Sequence, residues 1–417
     1  NMIDINLIRD NPAAVADNLA RRGVARKAVD KLRRQDKDWC AQSAAIEDLR
    51  AEHNALNDKI SQAAAEQKTA VIKQLRDLSN KLAAKEKQLK TISEQRLNSW
   101  RSLPNILSEG VPTGGEDDFE LIRSVPEVVA KPDFEIKSYL ELTPNDIDLK
   151  RAGKVAGSRF VFLKGELVRL QMALISFAFD RLARQEFVPI IPPVLINAEA
   201  MSGMGYLDAH ADEVYKVQDD LYLTGTSEQA IGAMHQKEII AAADLPLRYL
   251  GYSTCFRREA GSHGRDVKGM LRLHQFDKVE MFSLVVPEQS ATEHDFLLRQ
   301  QEELMQALQL PYRLIKLASN DLGAASAITY DIETWIPSES RYRETHSASN
   351  TTDYQARRLN IRVKDAAGAQ QLHMLNATAF AMGRTLIALL ENHQQSDGSI
   401  SIPRVLHPYL PFTKIKP

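Results

Sequence analysis

The chain has 417 residues, 26% charged and 44% hydrophobic, a composition that suits roughly two or three folded domains and excludes disordered or collagen-like chains. With 53 basic against 55 acidic side chains, no global charge draws it to nucleic acid, so any basic surface has to be local. No apolar run reaches membrane-spanning length, no signal-peptide pattern precedes the first helix, and Cys40 and Cys255 form no metal-like pair; a reduced, cytoplasmic setting is expected.

Residues 12–29 suit a helix with Pro12 in its first turn. Leu32, Trp39, Ile46, His53 and Ile60 then recur every seven residues, with Leu49 and Leu56 in the other seam position. A second series runs Val71, Leu75, Leu78, Leu82, Leu89 and Ile92, interrupted by Lys85. Joined by a polar loop at 61–68, these predict an antiparallel helical hairpin over about 31–100, with roughly 30 residues per helix and a length on the order of 45 Å. Its exposed basic residues, Arg34, Lys73, Lys81 and Lys85 among them, are mixed with acidic ones. A solvated coiled coil and a surface for nucleic-acid phosphates both stay open at this point. Residues 104–135 hold Pro104, Pro112, Pro126 and Pro132 with Gly110, Gly114 and Gly115, and read as a linker.

From 136 to 417 the segments mix. Residues 164–185 predict an amphipathic helix through Leu167, Leu170, Leu174, Phe177 and Leu182. An extended stretch at 187–195 follows, punctuated by Pro189, Pro192 and Pro193. Residues 215–223, 312–317, 327–335 and 369–375 suit strands; 228–242, 287–308 and 379–392 suit helices. Residues 247–284 read as a long antiparallel hairpin. Tyr249, Tyr252 and Phe256 lie on one flank, Phe276, Val279 and Phe282 on the other, and Gly261, Gly264 and Gly269 break the middle. Residues two apart share a strand face, which would align Arg257 with Glu259 and Phe276 with Glu280. A guanidinium, two carboxylates and a ring on one surface suit a nucleotide with a small amine or hydroxyl compound, or else ordinary surface ion pairs. The irregular order of strands and helices argues for an α+β body on an antiparallel sheet, not a doubly wound parallel one.

Phosphate-loop, dinucleotide, zinc and nucleophile-elbow motifs are absent, and no zinc is expected. Four polar clusters remain: Thr224 to Glu228, the hairpin, Arg343 to Ser347, and Asn376 to Thr378 leading to Arg384. Together they resemble the bacterial seryl-tRNA synthetases, a family of class II aminoacyl-tRNA synthetases. Phe256-Arg257-Arg258-Glu259-Ala260-Gly261-Ser262, continuing through Gly264-Arg265-Asp266 to Glu280, looks like that family's motif 2. Asn376 to Asn392, with Gly383-Arg384-Thr385, looks like motif 3, and Pro193 sits where motif 1 ends. Ser349-Asn350 and Asp353 to Arg358 match another family stretch, and the heptads match its tRNA-binding arm.

The resemblance implies a tRNA-binding domain at 1–103, a linker at 104–135 and a class II catalytic domain at 136–417, an antiparallel sheet flanked by helices. It implies ATP-dependent activation of L-serine and transfer to serine tRNA, with selenocysteine tRNA as a further candidate acceptor, by a homodimer using Mg²⁺ with ATP. Catalytic roles fall to Arg257 and Arg384. The ATP site would comprise Arg257, Arg258, Glu259, Leu273, Phe276, Glu344, Thr345, His346, Ser347 and Arg384, with Glu344 and Ser347 at the Mg²⁺. The serine pocket would comprise Thr226, Ser227, Glu228, Arg257, Glu280, Asn376 and Thr378, and Arg34, Lys73, Lys81 and Lys85 would meet tRNA. The chain departs from the family at His346, where a small residue is usual, at Ala348 for a cysteine, at Thr378 for a serine, and at Glu186, where motif 1 often has glycine. Two rivals remain: an amino acid:carrier-protein ligase, whose relatives lack the long arm, and a non-catalytic paralogue, which should have lost Arg257, Glu280 or Arg384.

Overall fold

The computed structural model describes residues 3–62, 65–130, 132–208, 211–260, 269–366 and 368–416, without the side chains of 61, 62 and 65–67. The expected motif 2 loop at 261–268 therefore lies outside the described residues, as does the tip of the helical hairpin at 63–64. The chain divides into two compact units, one ending at Ile106 and the other starting at Leu107.

The first unit holds α1 (Ile5–Asp10), α2 (Pro12–Ala20), α3 (Arg26–Gln62) and α4 (Ala65–Arg101). The helix expected over 12–29 breaks in the middle. Gly23, at φ +72°, takes the left-handed conformation, and its N–H and that of Val24 donate to Ala20 and Leu19, which closes α2. The heptad helices are longer than expected, 37 residues each, or about 55 Å. Leu32, Ile46, Leu75 and Leu78 are buried along the seam. Its polar members find partners across it: Trp39 Nε1 donates to Ser93 at 3.0 Å, and Lys85 Nζ to Gln42 at 3.0 Å. At the base, Asp36 accepts from both Arg9 and Arg96, and the Arg96 guanidinium lies 4.8 Å from the Trp39 ring and 4.7 Å from the Trp100 ring. Trp100 in turn donates to Ile3 O.

The second unit is built on an eight-stranded sheet. Its strands in chain order are β1 (Glu120–Val125), β2 (Val188–Ile190), β3 (Leu247–Phe256), β4 (Gln275–Val285), β5 (Tyr312–Lys316), β6 (Ile328–Ile336), β7 (Arg341–Asn350) and β8 (His373–Ala381). They lie side by side as β1-β5-β6-β7-β8-β4-β3-β2, and every pairing is antiparallel except β2 with β3. β1 falls in the stretch read as linker. Its pairing with β5, and the burial of Leu107 and Val111, make part of that stretch an integral edge of the body.

Helices α5 (Gly165–Ala183), α7 (Ser290–Ala307) and α8 (Met382–Asn392) contribute to the main core. Leu167, Leu170, Leu174, Phe177 and Leu182 of α5 are buried there with Val279, Met281 and Phe380 of the sheet, as their spacing predicts. Three expectations change. The helix read over 228–242 is only α6 (Glu228–Ala233); Ile239–Ala241 leaves it to pair as a strand with Arg362–Asp365. Of 215–223, only Leu221–Leu223 is strand, because Asp219 and Asp220 take positive φ and turn the chain. The strand read at 369–375 is two, divided at Leu372 between a small sheet and β8.

Candidate active site

A cavity of about 560 Å³ opens over the middle of the sheet. Strand alternation supplies its floor. Phe276, Lys278 and Glu280 of β4 face it at two-residue spacing, as do Asn376 and Thr378 of β8. Glu344 and Ser347 of β7 also line it, although they are three residues apart and a regular strand would send them to opposite faces. A bulge resolves this: Ile332 pairs with His346 and Glu333 with Glu344, so Thr345 is the extra residue. Its hydroxyl is pinned at 2.7 Å to Thr334 Oγ1 and 2.7 Å to His346 Nδ1. A second bulge at Ala379 of β8 lets Ala381 join Thr378 on the cavity side.

Arg257 follows β3 and holds a place over Phe276, its guanidinium 5.3 Å from the ring centroid and Nε 3.2 Å from Gly225 O. Glu259 reaches the cavity by another route than the expected strand alternation. β3 has ended at Phe256, Glu259 adopts φ +52°, and its carboxylate pairs with Arg272 at 2.9 Å. Arg384, near the start of α8, donates to Glu344 O at 2.9 Å and meets its carboxylate at 3.1 Å. Leu273, Thr226 and Glu228 complete this part of the lining.

Most of these charges are buried, and they are interdependent. Glu280 sits opposite Thr378, accepts from its hydroxyl at 3.4 Å, and contacts Lys278 Nζ, which also reaches Thr226 Oγ1 at 3.3 Å. Burial pushes the Glu280 carboxyl up to about 7 although Lys278 pulls the other way, and among the described residues its Oε1 has no partner. Tyr206 donates to Glu228 at 2.7 Å. Burial also pushes the Asp331 carboxyl well up, with Glu344 adding to it, and its Oδ1 is unpartnered among the described residues. Glu344, whose side chain is half-exposed, is held below the usual carboxylate range by Arg384 and Arg257.

Three expected site residues do not line the cavity. Arg258 is exposed, and its backbone N–H donates to Glu213 O. Ser227 turns inward beneath Gly251, where a Cβ would meet its hydroxyl at 2.7 Å. His346 packs edge-on to Phe380 in the core, and burial lowers its pKa to about 4. Conversely, Tyr206, Arg272, Lys278 and Asp331 line the cavity without having been singled out. Lys278 was legible from its position two residues before Glu280; Asp331, near the centre of β6, belongs to none of the four polar clusters. Arg34, Lys73 and Lys81 are exposed on the helical hairpin, whereas Lys85 is half-buried in its seam. The left-handed φ of +64° at Glu186 explains why glycine suits that position.

Residues 2–107 match the model of the seryl-tRNA synthetase N-terminal domain, and residues 213–393 match the class II tRNA synthetase core domain for G, H, P, S and T. The serine–tRNA ligase of Bifidobacterium animalis subsp. lactis is 43% identical over 98% of this chain and 97% of its own length. That of Acidothermus cellulolyticus is 42% identical over 100% of both. The chain belongs to the seryl-tRNA synthetase family. The crystal structure of the Pyrococcus horikoshii seryl-tRNA synthetase complexed with ATP superposes on it with a TM-score of 0.93 at 38% identity, over 100% of both chains. Family membership accounts for a helical hairpin and an antiparallel class II sheet in one chain. Among the described residues no group of three or more His, Cys, Asp and Glu is placed to hold a metal, and no helix is long and apolar enough to cross a membrane.

Proposed function

We propose that this chain is a serine–tRNA ligase that forms seryl-adenylate from L-serine and ATP and passes the seryl group to the 3′ end of serine tRNA. The supporting observation is the meeting of Arg257, Phe276, Glu280 and Arg384 in one cavity. Phe276 offers a face for adenine, and Glu259, with Leu273 beside it, an acceptor for its amino group. Arg257 binds the α-phosphate and the serine carboxylate together, and Arg384 the γ-phosphate. The serine carboxylate oxygen attacks the α-phosphorus, and the bond to pyrophosphate breaks as the new P–O bond forms. Positioning and charge neutralisation drive this, without a covalent enzyme intermediate. A terminal ribose hydroxyl of tRNA then attacks the seryl carbonyl and AMP leaves.

Glu280, Thr378, Thr226 and Glu228 form the serine pocket, with Asn376 at its edge. A buried site built to bond a hydroxyl rejects the analogue lacking it far more strongly than a missing methylene. The hard oxygen donors Glu344 and Ser347, above the unpartnered Asp331 oxygen, fit Mg²⁺ bound with ATP. That ion supplies charge neutralisation of the triphosphate. We further propose a homodimer, and tRNA contact through Arg34, Lys73 and Lys81. ATP–pyrophosphate exchange measured across the amino acids tests the reading: serine supports exchange and alanine barely does. Exchange as fast with alanine as with serine overturns it, and charging of a carrier protein in place of tRNA would favour the rival ligase.

A further inference from the structure

β7 and β8 pair at three positions only, Ala348 with Ala377, Ser349 with Asn376 and Asn350 with Leu375. In that register the next position would set Ser347 against Thr378. One side chain stands there instead of the ladder. Gln301 of α7 is completely buried, and its Nε2 donates at 3.0 Å to Ser347 O and at 2.8 Å to Thr378 O. The helix is registered on β7 along the same stripe, since Ser290, His294 and Gln301 recur at helical spacing. Asn350 Nδ2 donates to Ser290 Oγ at 2.8 Å, and His294 Nε2 bonds Ala348 O at 3.0 Å.

The two strands carry different walls of the cavity. β7 brings Glu344 and Ser347, and β8 brings Asn376 and Thr378. Ser347 and Thr378 thus turn a side chain to the cavity and a carbonyl to Gln301. Gln301 is not among the lining residues. We infer that Gln301 is a positioning residue whose amide group sets the spacing between the triphosphate wall and the serine wall; this rests on the function proposed above. The chemistry requires a primary amide: it carries two N–H donors, one for each carbonyl, and a buried carbonyl left without a donor is costly. Each wall binds its own ligand, but the carboxylate meets the α-phosphorus in line only when the walls stand at the right separation.

The test uses the full-length protein and serine-dependent ATP–pyrophosphate exchange. Gln301→Met keeps the length and removes both donors. Misplacement of the order of 1 Å lowers kcat about tenfold to a hundredfold. KM for ATP and for serine should stay within about threefold, because binding to each wall is retained. Gln301→Glu keeps the shape. Its carboxylate form has no donor and faces two carbonyl oxygens, whereas its acid form donates once. Its kcat should therefore fall as that of Gln301→Met does, with KM for ATP and for serine again within about threefold. Thermal unfolding is followed on the same samples; if Gln301→Met fails to fold, Gln301→Glu alone decides. Parental kcat in both variants, or a loss confined to KM, overturns the inference while the parent stays active. A parent that exchanges nothing with serine overturns the proposed function and this inference together.

Discussion

In the proposed reaction substrate choice turns on Glu280, and its protonation can be read out. Burial raises the free carboxyl to about 7, Lys278 partly offsetting it, so below that pH the acid form predominates. Only the carboxylate accepts fully from the serine hydroxyl and ammonium. The sign follows: kcat/KM for serine should climb as pH rises through about 7, because that ratio reports the free enzyme. His346 adds no step in this window, since its burial holds it near 4. Glu280→Gln should flatten the climb and lower kcat/KM for serine by about a hundredfold or more, as expected when a charged bonding partner is removed from a buried site. The measurement is exchange at subsaturating serine between pH 6 and 8; a flat profile in the parent removes Glu280 from this role. At this scale the sequence was readable where a residue obeyed strand alternation, as Phe276 and Glu280 do. It misled where the backbone left the strand: Glu259 arrives by a left-handed residue past the end of β3, and Ser227 turns away between two cavity residues.

Whole elements were legible where one periodicity persisted. The heptads of α3 and α4, the stripe of α5 and the two flanks of the central hairpin each repeat a single spacing over many residues. β1 was hidden because its six residues, amid prolines and glycines, become a strand only through pairing with β5, almost 200 positions later. α6 was overextended because the apolar pattern runs on through Ile239 and Ile240, which pair instead with Val363 and its neighbours. The helical hairpin also supports an experiment. None of the cavity-lining residues lies in it. Deleting 47–85 with a short bridge removes Lys73, Lys81 and Lys85 but keeps Asp36, Trp39, Arg96 and Trp100 at the base. Serine-dependent exchange should stay near the parental rate, while aminoacylation of serine tRNA falls at least about tenfold and more steeply at higher salt, as phosphate contacts do. A parallel fall in both reactions would mean that the hairpin supports the fold, and no fall in either would remove it from tRNA binding.

At the scale of the molecule, β2 ends the large sheet with an edge that is unpaired among the described residues, and apolar side chains stand exposed around it and on α5. Val188 and Ile191 are 56% and 78% exposed, and Val168 and Met172 are 39% and 49% exposed. An uncapped edge beside an apolar patch is a surface that a folded chain tends to cover. A two-fold homodimer through this region satisfies it, since one self-complementary patch then closes on itself. Sedimentation at micromolar concentration should give a dimer, and Ile191→Asp should shift it toward monomer; a parent that stays monomeric excludes the arrangement. The first unit has a different large-scale property. Arg96, held between two indole rings and tied to Asp36, lies near the base of the hairpin, with about 40 Å of α3 beyond it, so an angular play of about 5° there would move the far end of α3 by about 3 Å. The hairpin is thus a lever whose base is held by one carboxylate shared between two guanidiniums: how accurately its far part is aimed depends on Asp36, Arg9 and Arg96 together with the apolar seam above them.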